Sequence, residues 1–233
     1  MGNTNKEIER IKNVYNKRTA EIPAEFYSCF RPVNLYYVQT RESLLLKLLR
    51  EYGIFSLGAK RILDIGCGSG HELRRYLQYG AIPDNLSGID VLPERIALGK
   101  KTSPNIDMRC GDASNLPYEN DSFDIVSQYT VFTSILDDQM KQRIAGEMLR
   151  VLKPDGIIIW YDYHMDNPRN PDVKGVKKRE INQLFRECYI DLRRITLAPP
   201  LARAVAPYSV GLCKLLEMVP LLRTHYLGII RRA

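Results

Sequence analysis

Long apolar runs are scarce in this 233-residue chain, and cysteine, histidine and tryptophan are few. The richest apolar stretch, CKLLEMVPLL, is broken by Lys214, Glu217 and Pro220, so no segment reads as a transmembrane span. The opening residues MGNTNKEIERIKNVYNKR are charged throughout and lack the apolar centre of a secretory signal. An unprocessed cytoplasmic protein is therefore expected. The five cysteines, Cys29, Cys67, Cys110, Cys188 and Cys213, are scattered and never spaced as Cys-x-x-Cys. Reduced, mostly buried thiols are expected rather than a disulfide frame. With three histidines and no His-x-x-x-His, a zinc site has little to build on, and no metal is expected. Repeats and low-complexity linkers are also missing, which leaves one sizeable α/β domain with an elaboration.

What is present is an ordinary globular composition, 45% hydrophobic and 26% charged, with a net charge of +7. The positive balance favours anionic partners. The basic residues are dispersed, however (Arg74–Arg75, Lys100–Lys101, Lys177–Arg179, Arg193–Arg194, Arg231–Arg232), so a solvated basic surface is expected in place of a nucleic-acid track.

From Lys60 onward strand-like and helix-like segments alternate, the rhythm of a parallel sheet with crossover helices. RILDIG, NLSGIDV, NIDMRCGDA, FDIVSQYTV, IIIWYDY, YIDLRRITL and HYLGIIRR read as strands. ELRRYLQYG, LPERIALGKK, MKQRIAGEMLRVL and KREINQLFREC read as helices, with KPDG as the turn before the fifth strand. Two segments lie outside the rhythm. Residues 1–59 look helical and form a cap, and residues 198–223, apolar and interrupted by proline, form a helical insertion within the remaining domain, 60–233. Both are expected near the strand C-termini, where ligands of open α/β sheets bind. From sequence the insertion has three readings: a lid packed on the core, a homodimer contact, or a surface lying on a membrane.

The stretch ILDIGCGSGHEL places Gly66, Gly68 and Gly70 between the first strand and its helix. Such a turn lets backbone N–H groups approach a ligand closely. It is not the dinucleotide pattern Gly-x-Gly-x-x-Gly, because position 71 is His, and no Gly-Lys-Ser/Thr follows as in a P-loop. An acid, Asp64, ends the first strand and suits an amine-bearing ligand. Asp90 ends the second and can accept from a pair of ribose hydroxyls. Asp112 ends the third and can accept from an adenine amino group, beside the Ala113 N–H. Any one of these acids alone reads more readily as a turn or helix cap. Cys67 reads as a small spacer, since nothing basic adjoins it.

Over about Lys60 to Tyr163, the ordered motifs LDIGCGSG, GIDVLPERI, GDASNLPYENDSFDIV and LRVLKPDGIII resemble those of the class I S-adenosylmethionine-dependent methyltransferases. The resemblance implies a Rossmann-like doubly wound sheet of seven strands with the last antiparallel. It implies S-adenosylmethionine as cofactor and S-adenosylhomocysteine as product. Gly66, Cys67, Gly68 and Gly70 would then wrap the methionine part, with Asp64 near its ammonium, Asp90 on the ribose, and Asp112 and Ala113 on the adenine. Val91 and Leu92 would flank the base or sugar, and Gln128, Tyr129 and Val131 would line the methionyl side. From the cap, Tyr27, Phe30, Tyr37 and Arg41 are candidates to close the pocket, Arg41 as partner of the cofactor carboxylate. The same aromatic residues read equally well as packing of the cap on the sheet.

Methyl transfer from a sulfonium is an in-line displacement, so the protein's main tasks are to align the acceptor and exclude water. A base is needed only for a poorly acidic acceptor. His164 is the leading candidate, with Tyr129, Asp162 and Tyr163 behind it, although a histidine after a strand is more often structural. The sequence SQYTVF stands where nucleobase N-methylating relatives carry Pro-Pro-aromatic. The glutamate pair of protein-arginine enzymes and the strand-end Asp and Asp-Asn of metal-dependent catechol enzymes are absent too. A metal-independent transfer to an oxygen, hydroxyl or carboxylate, of a small biosynthetic molecule or peptide natural product is the resulting expectation, the acceptor being anionic. An RNA or protein acceptor, or a scaffold that binds the cofactor without catalysis, are the rivals.

Overall fold

The computed structural model describes residues 2–168 and 170–233. Seven strands form one sheet: β1 (Ile62–Ile65), β2 (Leu86–Asp90), β3 (Asp107–Cys110), β4 (Phe123–Tyr129), β5 (Leu152–Tyr163), β6 (Cys188–Leu197) and β7 (Arg223–Arg232). Their spatial order is β3-β2-β1-β4-β5-β7-β6. The first five pair in parallel, whereas β7 runs antiparallel to both β5 and β6. Strand order reverses between β1 and β4, which opens a crevice at their C-terminal ends.

The apolar character of these strands follows from burial on both faces: all four residues of β1 and all five of β2 are buried. One face packs against α5 (Asp138–Val151) and α6 (Lys178–Leu184), through Ile144, Met148 and Ile181. The opposite face is covered by α2 (Pro32–Glu51), α3 (His71–Gln78) and α4 (Pro93–Thr102), through Leu45, Leu48, Leu73 and Ile96. The remaining cap helix, α1 (Gly2–Glu21), puts Ile11 into the first of these cores. Residues 198–223 fold as α7 (Pro199–Val205) and α8 (Val210–Glu217), then a short 3-10 turn, Pro220–Leu222. They enclose a third, smaller core in which Tyr36 of α2 meets Leu197, Ala202 and Cys213.

Two expectations need correcting. KPDG does not separate α5 from β5 as a plain turn; β5 starts at Leu152 and the register jumps, with Phe123 opposite Leu152 and Ile125 opposite Ile157. The extra residues bulge out because Pro154 has no N–H to pair. Gly156 fits there because a Cβ would lie 2.7 Å from Leu152 Cδ1. The thiols are not mostly buried either: only Cys67 and Cys213 are, while Cys29 and Cys110 are exposed.

Candidate active site

The glycine turn is built by hydrogen bonds that reach across to the second strand. Gly66 and Cys67 both donate their N–H to the Ile89 carbonyl, at 2.8 and 3.1 Å. The Asp90 carboxylate accepts from Gly68 N (2.8 Å) and from Leu92 N (2.9 Å), so one side chain fixes the turn and the entry to α4 together. Burial raises its pKa, and those two backbone donors and Arg95 act in the opposite direction. Gly66 has φ +67°, and a Cβ there would stand 2.5 Å from Val131 Cγ2. No larger residue fits both that backbone and that neighbour.

Around this turn lie two adjoining cavities. The inner one, about 90 Å3, is lined by Gly66, Asp90, Val91, Leu92, Ala113, Tyr129 and Val131, all anticipated from the sequence. The outer one, about 400 Å3, is lined by Asp112, Cys110 and residues of α1, and it meets the inner one at Val91 and Gly111. Asp112 accepts from Ser114 N (2.8 Å) and Ser114 Oγ (2.6 Å), which fixes its carboxylate at the rim.

The roof was not legible residue by residue. Ile11 and Tyr15 of α1, with Arg95 of α4, close the inner cavity. The Arg95 guanidinium lies 4.7 Å from the centre of the Tyr15 ring, and Tyr15 Oη is 3.0 Å from Ser134 Oγ. Glu7 and Arg10 anchor the helix: Leu136 N donates to Glu7 Oε1 (2.6 Å), and Arg10 donates to the Ser134 carbonyl (2.6 Å). The available signal was the spacing Ile8, Ile11, Tyr15 along an otherwise charged segment.

Of the proposed closing residues, none lines the inner cavity itself. Tyr27 and Phe30 are exposed, Phe30 completely. Tyr37 donates to the Leu197 carbonyl (3.3 Å) and packs with the α7–α8 insertion. Arg41 is held on the other face of the sheet by Glu72 (2.5 Å), with its guanidinium 5.0 Å from the ring centres of Tyr129 and Tyr161. On that face too lies Asp64, which accepts from Ser127 Oγ (2.8 Å); burial lifts its pKa well above the ordinary carboxylate value. Cys67 packs against Gly88. Gly68 and Gly70 keep positive φ but do not border the inner cavity. Gln128 is sealed behind the wall: Val131 N donates to its Oε1 (3.0 Å), and its Nε2 is buried without a partner.

The acid–base candidates separate in the same way. His164 does not line either cavity; its Nε2 donates to the Arg223 carbonyl (3.0 Å) and its ring lies 4.5 Å from Tyr226. Burial lowers its pKa. Tyr129 does line the crevice. Its hydroxyl pairs with that of Tyr76 at 2.9 Å, and burial pushes its pKa well above the usual phenol range. At neutral pH it stays protonated and is not a base. Next to it Thr130, a β-branched residue, is held at φ +58° by its N–H bond to the Tyr161 carbonyl (2.7 Å). Such strain is a recurrent feature of working sites. No group of three or more His, Cys, Asp or Glu side chains among the described residues is placed to hold a metal.

The fit to an adenosyl cofactor rests on this geometry. The turn leaves no room for a Cβ at Gly66, and a rigidly held acid, Asp90, lies beside an apolar slot formed by Val91, Leu92 and Ala113. Comparison with known proteins agrees. A family described as a methyltransferase domain matches residues 63–160. A phthiotriol/phenolphthiotriol dimycocerosates methyltransferase of Mycobacterium leprae is 32% identical over 137 residues, covering 54% of this chain and 49% of that protein. The chain thus spans about half the length of the curated relatives it matches. Among solved structures, a protein of Pyrococcus horikoshii OT3 superposes with a TM-score of 0.62 at 17% identity, covering 91% of this chain and 100% of that one. A SAM-dependent methyltransferase of Methanosarcina mazei gives 0.57 at 18% identity, covering 76% and 94%.

Proposed function

We propose that this chain, which through residues 63–160 belongs with the class I S-adenosylmethionine-dependent methyltransferases, transfers a methyl group to an oxygen of a small biosynthetic molecule or peptide natural product, without a metal. The observation that carries the reading is the Asp90 carboxylate, locked by Gly68 and Leu92 at the rim of the crevice with lone pairs left over for two hydroxyls. The cofactor, when bound, supplies an electrophilic methyl group on a sulfonium.

The chain's own residues would hold it as follows. Asp90 takes the ribose; Val91, Leu92 and Ala113 make the adenine slot, with Asp112 at its edge. Gly66 and Val131 border the methionyl part, with Asp64 and Gln128 supporting the strands behind it. Tyr15 and Arg95 move aside to let the inner and outer cavities join, then cover the ligand and exclude water.

The acceptor side bears on the oxygen class. The crevice offers Arg95 as a cation, and its acid, Asp90, is engaged by the backbone. That arrangement suits an acceptor oxygen already anionic or readily ionised, such as a carboxylate or an acidic hydroxyl, which needs no base. The relatives named for phthiotriol, a lipid acceptor, favour an acceptor with a large apolar part.

Calorimetric titration with S-adenosylhomocysteine tests the cofactor site. Wild type is expected to bind, and Asp90→Ala to lose at least about ten-fold in affinity, since it removes charge-assisted hydrogen bonds worth about 1.5–3 kcal/mol each. Equal affinity of the two proteins would refute the assignment. Transfer of labelled methyl to carboxylate acceptors, unaffected by a chelator, tests the oxygen and metal parts.

A further inference from the structure

The helical insertion presents an apolar surface that nothing in the chain covers. Tyr208 is 92% exposed, Leu221 81%, Met218 70% and Leu215 61%, with Leu201 and Leu212 also open to solvent. Leu212 and Leu215, three residues apart, share one side of α8, and Met218, just past its end, continues the spacing. The loop bearing the exposed Tyr27 and Phe30 joins the same end of the molecule, for Arg203 of α7 lies 5.2 Å from the Phe26 ring centre.

Beside this surface is a groove of about 390 Å3 between α2, α8 and the β6–β7 edge. Lys47, Arg194, Lys214 and Arg223 line it, with the hydroxyls of Thr40 and Ser43. Its one acid, Glu217, is buried and already accepts from Tyr36 Oη (2.6 Å) and Thr196 N (2.7 Å). Arg223 is bound to the carbonyls of Glu217, Arg194 and Met218. Arg194 and Lys214 have no salt-bridge partner among the described residues, so their charges face outward unpaired. These four cations come from four elements and are far apart in sequence, which is why no basic face was visible there.

We propose that this face is a docking surface for a lipid bilayer with anionic headgroups, with headgroup phosphates in the basic groove and Leu215, Met218 and Leu221 set among the acyl chains. Cations level with phosphates and apolar groups just below them are what interfacial attachment requires. No helix of the described residues is long and apolar enough to cross a membrane, so attachment is to the surface. A second copy fits less well: in a two-fold contact each patch meets itself, which brings the cations of both copies, Arg194 and Lys214 among them, into one interface. A nucleic acid would satisfy the cations and leave the leucines in water.

Co-flotation with vesicles decides the matter and does not depend on the methyltransferase reading. Wild type is expected to float with phosphatidylcholine vesicles containing phosphatidylglycerol, less so at high salt, and weakly with phosphatidylcholine alone. The pairs Arg194→Glu with Lys214→Glu, and Leu215→Asp with Leu221→Asp, should each weaken binding about ten-fold or more. Unchanged melting curves would show that these exposed substitutions leave the fold intact. Absence of wild-type binding, or binding by either pair equal to that of wild type, would overturn the proposal. So would a dimer in analytical ultracentrifugation that the Leu215→Asp, Leu221→Asp pair dissolves.

Discussion

Asp162 illustrates how much a single residue's chemistry depends on its surroundings. It is fully buried, accepting from Thr133 N (3.2 Å) and Tyr163 N (2.8 Å), and burial pushes its pKa up to about 7. The folded state therefore binds a proton that the unfolded chain releases near the ordinary carboxylate value. Its effect on stability is favourable below about pH 4, and between there and pH 7 the benefit is progressively lost as pH rises. An Asp162→Asn variant has no such titration. Denaturant unfolding of both proteins should show wild type gaining on the variant by about 2–3 kcal/mol when the pH is lowered from 8 to 5. A pH-independent difference would mean that the carboxyl titrates alike in both states. His164 makes the complementary point: its residue type marked it as a base, yet its Nε2–H is committed to the Arg223 carbonyl, and only the path of β7 decides that.

At the scale of elements, α1 is the part whose role changed most between sequence and structure. Its helical character was legible from its pattern, but the expectation placed pocket closure on the aromatic residues that follow it. The structure puts Ile11 and Tyr15 over the crevice instead, because Glu7 and Arg10 dock the helix onto the loop after β4. Docking of this kind is local: a few hydrogen bonds and the apolar contacts of one helix give way before the sheet does. Tyr15→Ala should therefore accelerate dissociation of S-adenosylhomocysteine about ten-fold while shifting the melting temperature little. Stopped-flow displacement measures the first and calorimetry the second. Unchanged dissociation would remove α1 from the roof.

For the molecule as a whole, the antiparallel edge carries as much constraint as the parallel centre. Gly228 of β7 lies between β5 and β6, and a Cβ there would come within 2.0 Å of the Asp191 carbonyl oxygen and 2.9 Å of Leu192 Cα. Both obstacles are backbone and cannot swing away. Gly228→Ala should cost about 3 kcal/mol of unfolding free energy, at the upper end of overpacking effects. Gly146→Ala, on the exposed side of α5 with nothing within 4 Å of the added methyl, should stabilise by about 0.5–1 kcal/mol. Urea titrations of the two variants compare these directly, and similar stabilities would contradict the packing.

The sequence by itself determined the seven strands, the crossover helices and the glycine turn with its strand-end acid Asp90. These follow from local rules: two-sided burial makes apolar runs, helices repeat their apolar residues, and positive φ selects glycine. Tertiary structure alone decided which side chains share a space. It joined Tyr15 to Arg95 across 80 positions (95 − 15) and set Asp64 and Arg41 on the far face of the sheet. It also gathered Lys47, Arg194, Lys214 and Arg223 into one groove. No local pattern encodes such meetings, because they depend on how distant elements pack, and charges dispersed along the chain become a surface only once it folds.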